Sequence, residues 1–265
     1  MLVLLPPSQA KTARRRGRPV DLDKLALPVL TQARRQVLTA LASASARPEA
    51  LAVLGAGPSL QGKIDRNTRW STEPAVPVQH LYSGVLYDAL DLASLGPGAK
   101  RRARSRLLVL SAAWGALRID DAVPAYRLSM STSLTGLDGP VDESAALTMA
   151  SFWRPHLAGA LPPLAQGVIV DCRSSTYAAA WRPAGPLAAR TVAIRVLREV
   201  HGRRSVVSHM AKHTRGLVAR HLVSRPGRDP GSPLALAAAL GEAFAVELGA
   251  PARDGSRVLD IIVRE

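Results

Sequence analysis

Two short apolar runs constrain the fold of this chain more than any other feature. They cover residues 106–112 and 167–172, and each is bounded by Gly, Pro or Arg. Runs of this length without polar alternation are typical of fully buried strands. Segments with helical spacing interleave with the strand-like runs along the chain. The pattern predicts a mixed α/β (α+β) fold, a single compact domain over residues 1–265 around one twisted mixed sheet.

The same periodicities place further elements. We expect a first strand at residues 3–5, an edge strand at 191–199 and a last strand at 258–263. Helices are expected at 21–43, with Asp21 or Asp23 as the cap, and from Ser232 and Pro233 through Leu248, with Gly249 ending the helix.

The charge of the chain favours an anionic partner. Its 265 residues include 35 Lys and Arg against 20 Asp and Glu, a formal net charge of +15. Long-range attraction and counterion release make double-stranded DNA the leading partner. Aromatic residues make up only 4% of the chain, which suits contact with a duplex backbone better than base stacking on single strands. A GC-rich genome would explain Arg over Lys, but not bases over acids.

Other features bear on the compartment. No run of about 18 apolar residues is present, so no membrane contact is expected. The amino terminus places apolar residues before its charges, the reverse of a secretory signal. Cys172, the only cysteine, cannot form an internal disulfide. We therefore expect a cytoplasmic protein, with Cys172 in the core.

A basic helix is the strongest candidate for anion binding. Residues 206–223 begin as an apolar strand-like segment and continue as a helix that carries Lys212, Arg215 and Arg220. Lys212 and Arg215 share one helix face, and Gly216 would allow an anion to come close. The alternative is an ordinary solvated basic face.

A second candidate is the segment 48–67. It predicts helix, tight turn and helix, with Gly55 and Gly57 in the turn and Lys63 and Arg66 on the second helix. This pattern resembles the helix-hairpin-helix of DNA binders without sequence preference, in which glycine N–H groups hold a phosphate. The alternative is that the glycines only punctuate two helices.

Three blocks of sequence resemble one family. Residues 211–220 (AKHTRGLVAR), 110–130 (LSAAWGALRIDDAVPAYRLSM) and the opening MLVLLPPSQAKT are similar to blocks of the YaaA family of bacterial peroxide stress proteins. Weaker matches at 81–90, 151–153 and 171–177 follow in the same order. The resemblance implies a compact mixed fold with a basic cleft and a helix-hairpin-helix element. It also implies duplex DNA binding and a role in limiting oxidative DNA damage and free iron.

The resemblance also carries individual residues across. Asp121, Tyr126 and Arg127 match the second block, and we expect the phenol and guanidinium side by side, with Asp121 orienting Arg127. Ala112 and Ala113 stand where the family has Gly and Leu. A structural Arg-Asp pair is the alternative.

Two more segments contribute candidate residues. Ser8 and Lys11 follow the first strand, where a ligand could meet the carboxyl end of the sheet. Ser174 matches the family beside Tyr177, and Asp171 is a base, an Arg partner or a helix cap. We expect Lys11, Asp121, Arg127, Lys212 and Arg215 to share one concavity.

No cofactor or metal is expected. His209 and His213 are four residues apart but lack a third ligand and a following Glu. Catalytic candidates are Asp121, Tyr126, Arg127 and Ser174. They keep open an enzyme that acts on a nucleotide or nucleobase, with a nucleotide-like small molecule as its ligand, because nonspecific backbone contact does not need such a cluster.

Overall fold

A mixed β-sheet organises the chain. The structure, a computed structural model, describes residues 1–137, 147–206 and 208–264, without the side chains of Ser208 and His209. In this part of the chain the strands are β1 Leu2–Leu5, β2 Val76–Pro77, β3 Leu107–Ser111, β4 Gly115–Leu117, β5 Ala122–Val123, β6 Ser133–Leu134, β7 Leu147–Thr148, β8 Ile169–Asp171, β9 Thr191–Val200, β10 Arg203–Val206, β11 Ala245–Leu248 and β12 Arg257–Arg264.

The main sheet has the strand order β11-β12-β9-β8-β1-β3-β4, and β10 also pairs with β9. Strands β3, β1, β8, β9 and β12 are parallel to their neighbours in that series, whereas β4, β10 and β11 pair antiparallel. Strands β1 and β3 consist of buried residues, as their unbroken apolar sequences require. Small two-stranded sheets join β2 to β5 and β6 to β7.

Helices surround this sheet. The α-helices are α1 Thr31–Ser45, α2 Ala50–Val53, α3 Gln61–Ile64, α4 Val78–Leu81, α5 Val85–Leu90, α6 Pro97–Arg106, α7 Met149–Ala160, α8 Ser175–Ala178, α9 Ser208–Ser224 and α10 Pro233–Gly241. Short 3₁₀ helices lie at Leu22–Lys24, Pro28–Leu30, Pro58–Leu60, Asp65–Arg69, Leu92–Ser94, Pro162–Leu164 and Gly185–Arg190. The mixed α/β fold around a mixed sheet is thereby confirmed.

The order of the strands creates a switch point between β1 and β8. From β1 the chain passes to β3 on one side, and it later returns to β8 on the other side. Loops that leave the carboxyl ends of β1 and β8 therefore diverge and leave a crevice between them. Ligands of open parallel sheets bind in such crevices.

Helix α9 packs closely against α5. A Cβ atom at Gly216 would overlap the Leu86 carbonyl and come within 2.8 Å of the Ala89 Cβ. Gly216 therefore serves helix packing, which corrects our expectation that it allows an anion to approach. The carboxyl end of α9 is capped by arginines of α6, because Arg102 Nε and Arg106 Nη1 donate to carbonyls at Val223 (2.7 Å) and Leu222 (2.6 Å).

Three expected elements differ from the structure. Strand β9 is internal rather than an edge strand, since it pairs with β8 and β12. Helix α10 ends at Gly241, and the next residues form β11 against β12 instead of more helix. Helix α1 begins only at Thr31, because the segment before it is two 3₁₀ turns, the second opened by Pro28.

Candidate functional site

A basic pocket lies at the switch point. It has a volume of about 430 Å³ and an apolar side formed by proline, leucine, valine and tyrosine residues. Its lining comes from the loops after β1 and β8, from α5 and α9, and from the segment after Tyr126. We use the name basic pocket for the concavity lined by Pro6, Pro7, Ser8, Gln9, Ala10, Lys11, Val85, Leu86, Tyr87, Arg127, Leu128, Ser129, Ser174, Tyr177, Lys212 and Arg215.

Lys11 is held in the wall of the basic pocket by its backbone. The residue forms an isolated β-bridge with Tyr82, and the next amide, Thr12 N, donates to the Leu81 carbonyl (2.8 Å). Its Nζ donates to the Ser8 carbonyl (2.7 Å) and lies 4.3 Å from the centre of the Tyr126 ring. The ammonium position is therefore fixed by a carbonyl and an aromatic face rather than by a carboxylate.

The surroundings of Lys11 change its titration. Burial, together with the neighbouring cations Arg127 and Lys63, lowers the pKa of Lys11 from 10.5 to about 7. Desolvation and like charge both disfavour the ammonium form. A large fraction of Lys11 is consequently a neutral amine near pH 7.

Tyr126 contacts Lys11 without lining the basic pocket itself. Its buried hydroxyl hydrogen-bonds with Ser111 Oγ (2.7 Å) and with the Tyr82 hydroxyl (3.0 Å). The phenol therefore points into the core, and its ring offers a face to Lys11. This corrects the expectation that the phenol and the Arg127 guanidinium face a ligand side by side.

Arg127 is positioned by a residue that sequence reasoning missed. The side chain of buried Asn67 accepts from Arg127 N (2.9 Å) and donates to the Arg127 carbonyl (3.0 Å). Asn67 also donates to Ser45 Oγ (3.0 Å). The guanidinium reaches Gln9, with Nη1 at 3.3 Å from Oε1. Asn67 is the last residue of the segment 48–67. This segment therefore fixes the backbone position of Arg127.

Helix α9 contributes the other two cations. Lys212 is exposed, and Arg215 donates from Nε and Nη2 to the Ile194 carbonyl (3.3 and 3.1 Å). Both residues line the basic pocket, as their spacing on one helix face predicts. Because the partner of Arg215 is a neutral carbonyl, its positive charge remains available to an anion.

Ser174 reaches the basic pocket from the loop after β8. The neighbouring Asp171 binds Arg173 through both carboxylate oxygens, at 2.8 and 2.7 Å. Asp171 is therefore an Arg partner, one of the three roles proposed for it. Cys172 lies between them, fully buried, and burial raises the pKa of its thiol to about 12.

Asp121 and Arg220 are not among the residues that line the basic pocket. Asp121 accepts from Ala26 N and Arg118 N, both at 2.8 Å, so it ties two loops together and does not orient Arg127. The pKa of Asp121 is raised, chiefly by burial. Arg220 donates to the carbonyls of Leu90 (2.9 Å) and Asp91 (2.7 Å) at the end of α5. Both therefore have structural partners.

The candidate residues of the segment 48–67 divide into two groups. Gly55, with φ +56°, donates its N–H to Ala52 (3.1 Å), and Gly57 has an ordinary φ of −79°. Lys63 and Arg66 instead line a small hollow beside the basic pocket, with Gln9, Lys11, Ala125 and Tyr126 as its other walls. Lys63 and Arg66, in the second half of the segment 48–67, thus adjoin the basic pocket. Gly55 and Gly57 are not among the lining residues.

Within the described residues, no group of three His, Cys, Asp or Glu side chains is placed to hold a metal ion. His213 is exposed, and the His209 side chain lies outside the described part of the chain. None of the described helices combines the length and apolar character needed to cross a bilayer.

Comparison with known proteins places the chain in a family. A family model described as peroxide stress protein YaaA matches residues 1–237. The chain belongs to the YaaA family. A UPF0246 protein of Streptomyces coelicolor is 45% identical over an alignment of 270 positions, covering 100% of this chain and 99% of the relative. UPF0246 proteins of Corynebacterium efficiens and Corynebacterium glutamicum are each 38% identical, covering 85% and 84% of this chain and 86% and 84% of their own lengths. The YaaA resemblance drawn from the three blocks is therefore confirmed, and with it membership of a peroxide stress family.

Proposed function

We propose that this YaaA-family protein binds a phosphate-bearing, nucleotide-like ligand in the basic pocket. One observation carries the proposal. Arg127, Lys212 and Arg215 converge there with Lys11, and none of the lining residues in the described chain is acidic. Cations gathered from three separate segments repel one another unless an anion neutralises them. Arginine forks and a lysine are the groups that bind phosphate most effectively.

The size and the walls of the basic pocket define the ligand further. A volume of about 430 Å³ lies within the usual range for small-molecule sites, about 300 to 1,000 Å³. A double helix does not fit, because its major groove alone is about 12 Å wide. Leu86, Leu128 and Tyr177 supply apolar surface against which a planar base would pack. This favours a nucleotide over inorganic phosphate.

Calorimetric titration tests this function. Nucleoside 5′-monophosphates should bind, and the matching nucleosides without phosphate should bind at least about 10-fold more weakly, as the loss of a charged hydrogen bond predicts. Arg127→Ala should weaken nucleotide binding by about 10- to 100-fold. Arg204→Ala is the matched control, because that arginine already binds Glu199 and Glu247 and is not among the lining residues of the pocket. Equal affinity for nucleosides and nucleotides would remove phosphate from the recognition.

A second candidate is binding of double-stranded DNA on the surface outside the pocket. Arg14, Arg15, Arg16 and Arg18 are exposed in the segment that continues from Lys11, and Lys63 and Arg66 line the adjoining hollow. Such a surface suits backbone contact without sequence preference. In a peroxide stress family, this binding would serve to limit oxidative DNA damage and the damage done by free iron.

Binding of unrelated duplexes over a salt series tests the DNA candidate. Affinity should fall steeply with salt and hardly depend on sequence. Gly57→Val should weaken duplex binding if the hairpin approaches a phosphate, and it should leave folding intact, because a Cβ at Gly57 meets no atom within 4 Å. A folded Gly57→Val variant with unchanged affinity would exclude the hairpin glycine from the interface, and circular dichroism on the same sample reports the folding.

A further inference from the structure

Lys11 has the environment of a nucleophilic amine. Its Nζ is fixed by the Ser8 carbonyl at 2.7 Å and by the Tyr126 ring, and it belongs to the walls of both the basic pocket and the smaller hollow. Phosphate binding alone would be served better by a permanently charged lysine. Arg127 lines the basic pocket and Lys63 lines the hollow, and no carboxylate is among the lining residues that the structure describes. Such surroundings keep a lysine neutral and reactive.

We propose that Lys11 captures phosphorylated aldehydes in the basic pocket by forming an imine with their carbonyl carbon, while Arg127, Lys212 and Arg215 hold the phosphate. The proposal rests on the proposed function, since it needs phosphate to bind in the same pocket. It adds the substrate class and the reacting atom.

The chemical step is a condensation that needs no oxidant or reductant. The lone pair of neutral Lys11 Nζ attacks the aldehyde carbon, a C–N bond forms, and the carbonyl electron pair moves to oxygen. A proton passes from nitrogen to that oxygen to give a carbinolamine. Loss of the hydroxyl as water, with the remaining N–H proton, gives the imine. The lowered pKa of Lys11, about 7, supplies neutral amine at physiological pH.

The setting of the pocket fits this substrate class. Oxidative attack on deoxyribose and other sugar phosphates leaves fragments that carry an aldehyde and a phosphate, and the chain belongs to a peroxide stress family. The shared chemistry has two sources, a free sugar phosphate and an abasic site in DNA that turns its sugar out of the helix into the pocket. Three cations in one concavity with Lys11 recognise the phosphate in either case.

Borohydride trapping followed by peptide mass spectrometry tests the proposal. Borohydride adds hydride to an imine carbon and leaves a stable secondary amine. The lysines of the chain are Lys11, Lys24, Lys63, Lys100 and Lys212. With D-glyceraldehyde 3-phosphate at pH 7, we expect Lys11 to be labelled at least about 10-fold more than Lys24, an exposed lysine that pairs with Asp21 at 2.9 Å, because an ordinary lysine is almost fully protonated at this pH.

Matched variants and ligands separate the contributions. D-Glyceraldehyde without phosphate should label Lys11 at least about 10-fold less, as loss of a charged contact predicts. Lys11→Arg should abolish the pocket adduct, and Lys24→Arg should leave it unchanged. An abasic-site duplex forms the second arm: trapping on Lys11 by this duplex identifies DNA as a source, and trapping only by the free sugar phosphate identifies a small metabolite.

The outcomes separate imine formation by Lys11 from the proposed phosphate binding on which it rests. Glycerol 3-phosphate, which has no aldehyde, should compete with labelling and bind in calorimetry. If it binds but neither arm labels Lys11 above Lys24, the imine is excluded and the phosphate pocket stands. If neither glycerol 3-phosphate nor a nucleoside 5′-monophosphate binds and no labelling occurs, both proposals fail. Equal labelling of Lys11 with and without phosphate on the aldehyde also overturns the inference.

Discussion

Two arginine-rich regions of this protein use their charge differently. On strands β9 to β12, Arg195 binds both carboxylate oxygens of Asp260, and Arg204 bridges Glu199 and Glu247. In the basic pocket, Arg215 donates to a backbone carbonyl and Arg127 to an amide oxygen. The first region is internally neutralised, whereas the second keeps its positive charge. A net charge of +15 therefore indicates a partner only where the cations lack carboxylates.

The largest expected effect on stability comes from a substitution in helix α9, which carries Lys212 and Arg215 of the pocket. Gly216→Ala places a methyl group against the Leu86 carbonyl and the Ala89 side chain of α5. We expect a loss of about 3 kcal/mol in the free energy of unfolding, because backbone cannot yield as a flexible side chain does. Urea denaturation measures it. Gly57→Ala, where a Cβ meets no atom within 4 Å, is the control, and equal stability of the two variants would contradict the close packing of α9 on α5.

The second prediction compares one arginine from each region. Arg215→Ala should weaken nucleotide binding by about 10-fold, the value of one charged hydrogen bond. Arg195→Ala should leave nucleotide affinity unchanged, because Asp260 already neutralises that arginine. Calorimetry on both variants tests the contrast. Equal losses would mean that the general field of the protein, rather than the pocket, attracts the ligand.

The third prediction concerns the cost of keeping Lys11 in the pocket. Its folded-state pKa of about 7 is below the usual 10.5, so the folded state disfavours the charged form. This penalty is complete below about pH 7 and disappears as the pH rises towards 10.5. Lys11→Met should therefore be more stable than the parent at pH 6, by at least about 1 kcal/mol, the equivalent of one pKa unit, and equally stable near pH 10.5. Urea denaturation at both pH values is the measurement, and a constant difference would mean that packing, not charge, separates the two proteins.

The smallest predicted effect lies in the neutralised region. Hydrogen bonds from Arg204 lower the pKa of Glu199 and of Glu247, so the pairing stabilises the fold above the unfolded pKa and is lost as the pH falls through the folded one. The melting temperature of Arg204→Ala should be slightly below that of the parent at pH 7, and this difference should disappear at acidic pH. Scanning calorimetry at several pH values would detect it. A difference that grows in acid would contradict the assignment.

The fold was predictable where one local pattern decided it. Residues 106–112 and 167–172 have no polar alternation, and both form buried strands, β3 and β8. Strand β9 was expected at an edge because Arg195 and Arg198 alternate with apolar residues. The partner carboxylate of Arg195 lies in β12, 65 residues away, so local spacing could not reveal that β9 is internal. Similarly, β11 depends on its pairing with β12 and not on its helix-like sequence.

Residues of the site were predictable only where their local position in the sequence determined their place. The positions of Lys212 and Arg215 follow from helix spacing, and those of Ser8 and Lys11 from their place after the first strand. Asn67 gave no signal, because its partner is the backbone of residue 127, and any residue there offers the same N–H and carbonyl. Asp121 was misassigned for the related reason that a carboxylate close to an arginine in sequence need not face it in space.

Buried Cys172 has a practical consequence. Burial raises the pKa of its thiol to about 12, so hardly any of the oxidisable thiolate is present at pH 7. Hydrogen peroxide therefore meets no ready sulfur target at the chain's only cysteine. A protein of a peroxide stress family built in this way is insulated at that position from the oxidant itself. Its ligand binding can therefore be assayed without an added thiol reductant, because this cysteine does not oxidise readily.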